Sequence, residues 1–227
     1  MRIRSERGAD LGDAVMSAIV VPAEFRQVQN EYPILFRMNA ERTGFTALAI
    51  FGFEAGENLY LEGDRWDARS RPLSIDIQPF LIGGRPGDEE TKQVHIDMAS
   101  PRIAKGAGGG EGVRVFDETG RPSPYLETMI EKLGTLDAGF EESGDFFAAL
   151  SRHELLEPLI LEVTLDDGAT HRLVGFHVID EEKLQALDAA ALGELQAEGH
   201  LMPIFMALAS MANLSGLIAR KNRRTHG

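Results

Sequence analysis

The chain has 227 residues, of which 43% are hydrophobic, and it contains no cysteine. This length suffices for one large domain or two small ones that share a core, and the missing cysteine excludes disulfides, thiolate metal sites and cysteine nucleophiles. The formal net charge of -13 repels the phosphates of nucleic acids and anionic lipids, so neither is an expected partner.

The first sixteen residues have no clear structural pattern. They begin with a basic stretch, but Asp10 and Asp13 lie where a secretory signal peptide needs a continuous apolar run. We therefore expect a mobile segment over residues 1–16. Without a signal peptide, the expected location is cytoplasmic.

Residues 17–120 have the pattern of β structure. Short apolar runs, separated by turns rich in glycine, occur at residues 17–21, 33–38, 45–53, 74–81, 93–98 and 113–116. Apolar residues occupy both faces of the run at 45–53, which is typical of a strand inside a sheet. The sequence predicts a central strand there and further strands at the other runs.

Residues 121–222 are predicted to be richer in helix. Ser123 and Pro124 are suited to the N-cap and first position of a helix, and a second helix is expected after Ser143. A hairpin follows over residues 158–179, with its turn at Asp166-Asp167-Gly168. Two short helices capped by Asp180 and Asp188 come next, and residues 203–220 form the last helix.

The last helix begins within a stretch without charge, residues 201–218. That stretch superficially resembles a membrane anchor, but it is short for a span and is diluted by proline, serine, asparagine and glycine. A buried helix of a folded domain explains it better, so no transmembrane span is expected. The basic residues after it are expected to end the helix in solvent, with docking to a partner as the alternative.

Together these patterns predict an α+β fold. A largely antiparallel, β-rich N-terminal half (residues 17–120) packs with a helical C-terminal part (121–222) that ends in a buried helix. We expect one domain over residues 17–222, followed by a basic tail at 223–227.

Several motifs resemble one family when they are taken in order. They are EYPILF at 31–36, ALAIFG at 47–52, GENLY at 56–60, Trp66, PFL at 79–81 and the C-terminal block at 173–217. This order resembles the bacterial SapC family, which is named after a surface-layer-associated protein. The resemblance implies a link to the cell envelope, or to the halogenase-like proteins that accompany relatives in many genomes. The residues at 71–78 depart from the Arg-rich segment typical of the family, so no anion-binding role is carried over.

One pair of residues is suited to metal binding. His95 and Asp97 fall on the same face of a predicted strand, and a His-x-Asp pair with a distant histidine is how non-haem iron enzymes hold divalent iron. His153, His171 and His177 are the candidates for the third ligand, and the proposed set is His95, Asp97 and His171. The alternative is a strand whose solvent face carries ordinary polar residues.

Trp66 is the only tryptophan, in a loop between two β segments. It is either buried as a plug that closes the loop, or exposed as a stacking surface beside Arg69 and Arg71. The packing of large aromatic side chains favours the plug.

The leading functional hypothesis is a non-enzymatic binding or accessory protein without a cofactor, acting on a protein partner. A metal-dependent oxygenase or hydrolase that uses His95, Asp97 and His171 with divalent iron or another divalent metal is the alternative. A self-associating surface-layer component is a third hypothesis.

Overall fold

The computed structural model describes residues 1–85, 88–104 and 112–225. The fold is α+β, as predicted, with mostly antiparallel sheets and a helical C-terminal part. The chain divides into two compact units, whereas the sequence predicts a single domain over 17–222. The first unit comprises Met1–Ala14, Leu61–Asp67 and Leu73–Ala138, and the second comprises Val15–Tyr60, Ala68–Pro72 and Gly139–Gly227.

Most of the strands precede residue 123, and most of the helical residues follow it. The strands are β1 (Arg2–Ile3), β2 (Ser17–Val20), β3 (Ile34–Met38), β4 (Phe45–Ile50), β5 (Leu61–Glu62), β6 (Arg65–Trp66), β7 (Phe80–Arg85), β8 (Asp88–Ile96), β9 (Val113–Arg114), β10 (Leu156–Thr164) and β11 (Thr170–Ile179). The helices are α1 (Phe25–Val28), α2 (Leu73–Asp76), α3 (Pro124–Arg152), α4 (Glu181–Ala186), α5 (Ala189–Ala197), α6 (Leu201–Ser210) and α7 (Asn213–Thr225).

The first unit is built from strand pairs and the start of α3. β1 pairs with β9, β5 with β6, and β7 with β8, each antiparallel. Side chains spaced at helical intervals on α3 bury one face, because residues three and four apart lie on the same side of a helix. The resulting core consists of Ile3, Ile77, Phe80, Val115, Leu126, Met129 and Leu133.

The N-terminal segment differs from the prediction for residues 1–16. Ile3 and Leu11 are buried, and β1 pairs with β9. The carboxylate of Asp13 is also buried, and its Oδ1 lies 2.6 Å from Nη2 of Arg102. Asp13, one of the two charges that argue against a signal peptide, therefore holds this segment in the first unit, and only the tertiary structure supplies its partner Arg102.

The second unit contains a five-stranded antiparallel sheet in the order β10-β11-β3-β4-β2. β4 lies inside this sheet, which confirms the central strand predicted from its two apolar faces. The hairpin β10–β11 is also confirmed: Gly168 has a φ of 85°, a conformation that a tight turn needs and that glycine adopts without strain.

Helices α4 and α5 begin where the sequence predicts. The Asp180 carboxylate accepts a hydrogen bond from the Lys183 N–H, and that of Asp188 accepts one from the Ala191 N–H. Gly199, with a φ of 80°, follows the end of α5 as expected of a C′ residue.

Three local predictions were wrong. Residues 73–76 form α2 instead of the start of a strand. Ser143 begins no helix, because α3 runs unbroken through it and its Oγ donates back to the carbonyl of Gly139. The last helix does not end at residue 220, since α7 continues to Thr225; residues 226 and 227 of the predicted basic tail lie outside the described part of the chain.

Candidate functional site

The predicted metal pair lies at the end of β8 in the first unit. His95 is exposed and pairs in register with Leu81 of β7. Asp97 comes just after the strand, and its carboxylate accepts a hydrogen bond from the N–H of Ala99 at 2.9 Å. This bond is an ordinary role of aspartate in a turn.

His171, the third predicted ligand, lies on β11 in the second unit and faces a carboxylate. Its Nδ1 is 2.9 Å from Oε1 of Glu54. Nζ of the buried Lys221 is 3.7 Å from the same Glu54 oxygen and 2.6 Å from Oε1 of Glu57. His171 therefore belongs to a charge cluster that joins the loop after β4 to α7.

No group of three or more His, Asp or Glu side chains is arranged to hold a metal ion within residues 1–85, 88–104 and 112–225. His95 and Asp97 are in one unit and His171 is in the other. The assignment of these three residues to a metal remains a prediction without support from the geometry.

The residues of the surface predicted around Trp66 also belong to different units. The Trp66 side chain is buried, with 6% of its surface exposed, and it pairs with Leu61 in the β5–β6 ladder. The buried plug thus describes Trp66 better than a stacking surface does. Arg69 is exposed in the second unit, where its backbone N–H contacts Glu31, and Arg71 is half-buried.

Helices α6 and α7 form one 25-residue helical stretch, Leu201–Thr225. Its inner face packs into the second unit through Ile204, Ala207, Ser210, Leu217 and Lys221, which are all buried. The Oγ of Ser210 accepts a hydrogen bond from the N–H of Ile34. On this face the helical stretch is buried, as the sequence predicts for the last helix.

The opposite face of the same stretch is exposed. Met202 and Phe205 have 53% and 49% of their surfaces exposed. The exposed positions continue with Ala209, Ala212, Gly216, Ala219 and Arg223. We call these seven residues the outer stripe. The last helix is therefore buried on one side only, which corrects the expectation of a helix that is apolar because it is enclosed.

Leu201–Thr225 is long and apolar enough to cross a membrane, as core helices of soluble proteins can also be. Only 28% of its most apolar 18-residue segment is buried. The exposed apolar side chains of the outer stripe are the clearest candidate for a functional surface among the described residues.

Comparison with known proteins identifies the family. The family model of SapC matches residues 1–217 of the chain. The chain belongs to the SapC family. No curated protein and no solved structure matches it. The match covers both units and ends within α7.

The SapC motifs at 31–36, 47–52 and 56–60 meet in the core of the second unit. Rings of Tyr32, Phe51 and Tyr60 pack edge to face, with centroids 4.6 to 6.2 Å apart. Tyr32 donates its hydroxyl hydrogen to the carbonyl of Ser70, and Tyr60 donates to that of Glu31. Burial raises the pKa of Tyr60 to about 12. These motifs therefore maintain the SapC fold through packing and buried hydrogen bonds.

We expect His177 to make the stability of this SapC chain sensitive to acid. Burial lowers the pKa of His177, its Nδ1 has no hydrogen-bond partner within the described residues, and its ring packs against Phe45. In the unfolded chain the pKa of this histidine is about 6.5. In the native protein its lower pKa disfavours protonation. The free energy of unfolding should therefore fall as the pH drops below about 6.5.

We expect His177→Gln to flatten this loss of stability between pH 7 and pH 5, measured by urea unfolding at each pH. His95→Gln is the control, because that histidine is exposed. A His177→Gln protein that loses stability with the wild-type slope would show that His177 is not responsible.

The outer stripe was not predicted from the sequence. The signal was present, since exposed positions 202, 205, 209, 212, 216, 219 and 223 alternate spacings of three and four. An apolar residue, however, looks the same in a sequence whether it faces a core or solvent. Only the packing of the inner face decides which side remains open.

Proposed function

We propose that this SapC protein is a non-enzymatic binding or accessory protein, and that the outer stripe is its binding surface. The observation that carries the proposal is the exposure of Met202 and Phe205 on a helical stretch without charge between residues 201 and 219. Exposed apolar patches of this kind often mark sites of protein association.

The family supports a setting for this binding. Its name points to the cell surface, and the resemblance links relatives to halogenase-like proteins. We propose that this binding takes place within the cell envelope or in a halogenase-associated system. A protein that acts there without a cofactor needs a recognition surface, which the outer stripe provides.

The test is photo-crosslinking from the outer stripe in the full chain. A benzophenone amino acid replaces Phe205, the protein is produced in the cells that naturally make it, and adducts formed on illumination are identified by mass spectrometry. We expect a covalent adduct of discrete mass.

Phe140 is the matched control position, because it is also a phenylalanine on a helix and has 55% of its surface exposed. The same probe at Phe140 should give no adduct of that mass. The absence of any adduct from the probe at Phe205, or the same adducts from both positions, would contradict the proposal.

A further inference from the structure

We infer that the outer stripe binds the outer stripe of a second copy of the chain, with the two helical stretches antiparallel and a two-fold axis near Ala212. This inference rests on the proposed function, since it names the partner of the same surface. It concerns residues of α6 and α7 only.

The spacing of the outer stripe suits a helix as its partner. Its positions follow the 3-4 alternation of a heptad repeat through three heptads, from residue 202 to residue 223. This alternation brings two helices together at a shallow angle of about 20° along their whole length. A membrane surface is a less suitable partner, because the small residues in the middle of the stripe would bury little area in lipid.

The sizes of the side chains determine the direction. The side chains of the stripe are large near its start, at Met202 and Phe205, and small in its second half, at Gly216 and Ala219. An antiparallel pair sets Phe205 of each copy against Gly216 and Ala219 of the other, so that large side chains meet small ones. A parallel pair would crowd the large residues together and leave voids beside the small ones.

The charges at the two ends favour the same direction. Arg223 and Arg224 lie in the last turn of α7. Two half-exposed carboxylates precede α6: Glu194 in α5 and Glu198 directly after it, each in contact with Arg152. In the antiparallel pair the basic end of each copy approaches the acidic end of the other. A parallel pair would bring the two basic ends together.

The chain as a whole carries a net charge of -13, so most of its surface opposes contact with another copy. Residues 201–219 contain no charged side chain. A second copy can therefore approach along the stripe from Met202 to Ala219 without burying a charge, which would otherwise be costly.

The first experiment measures mass by light scattering over a concentration series. We expect the wild-type protein to reach the dimer mass, and Phe205→Glu to remain a monomer at the concentrations where the wild type is dimeric. Phe140→Glu places the same charge on another exposed phenylalanine and should dimerise as the wild type does. A strictly monomeric wild type, or a Phe205→Glu protein that stays dimeric, would overturn the inference.

The second experiment uses the natural lack of cysteine to determine direction. Ala212→Cys lies near the expected two-fold axis and should form a disulfide-linked dimer on oxidation. Met202→Cys should not, because its counterpart in an antiparallel partner lies roughly 30 Å away along the helix. Efficient self-linking through Met202→Cys would indicate a parallel pair and would overturn the antiparallel arrangement.

The two proposals fail differently. A monomeric chain whose Phe205 probe crosslinks to a different protein would overturn self-association and leave the binding function standing. A chain that is monomeric and forms no adduct at Phe205 would contradict both.

Discussion

Arg102→Met should lower the free energy of unfolding of the first unit by about 3 to 5 kcal/mol, because it removes the nearer cation from the buried Asp13 carboxylate and leaves it Arg7 at 3.5 Å. Arg102 is 2% exposed. Its Nη2 lies 2.6 Å from Oδ1 of Asp13, and its Nη1 donates to the carbonyls of Arg4 and Glu6. This one guanidinium thus holds the N-terminal segment that the sequence suggests is mobile.

Urea unfolding followed by tryptophan fluorescence measures this effect, because the single tryptophan, Trp66, is buried in the first unit. Arg114→Met is the control. Arg114 pairs with Glu118 on the surface, and an exposed pair contributes only about 0 to 1 kcal/mol. Equal decreases in the free energy of unfolding would show that the buried Arg102–Asp13 pair contributes no more than an exposed pair.

Phe51→Ala should destabilise the second unit by about 3 to 5 kcal/mol, which is typical of deleting a buried aromatic ring. Phe51 is fully buried and contacts both tyrosines of the motif cluster, Tyr32 and Tyr60. Removing it opens a cavity and also loses the edge-to-face contacts.

Chemical unfolding followed by far-ultraviolet circular dichroism measures the change. Phe140→Ala deletes the same ring at a position that is 55% exposed, and surface changes of this kind stay within about 0.5 kcal/mol. If Phe51→Ala unfolds at the same denaturant concentration as Phe140→Ala, the motif cluster does not stabilise the second unit.

The family could be recognised from the sequence because its motifs are short segments that follow one another in a fixed order. The same residues turned out to be core: Tyr32, Phe51 and Tyr60 pack together, although they come from three separate motifs. The candidate metal site shows the opposite case. The spacing of His95 and Asp97 satisfied a motif, but the contacts of Asp97 are those of a turn, and spacing alone cannot report the third ligand.

Local patterns in the sequence determined the α+β class, the central strand β4, the hairpin turn at Gly168 and the caps of α4 and α5, because each depends on residues only a few positions apart. The tertiary structure alone decided that β10 and β11 join β3 in one sheet, that Arg102 binds Asp13 across 89 positions, and that one side of α6 and α7 stays open. These features depend on which distant surfaces meet. The sequence shows that an apolar side chain is unfavourable in water, but it does not show which distant residue packs against that side chain.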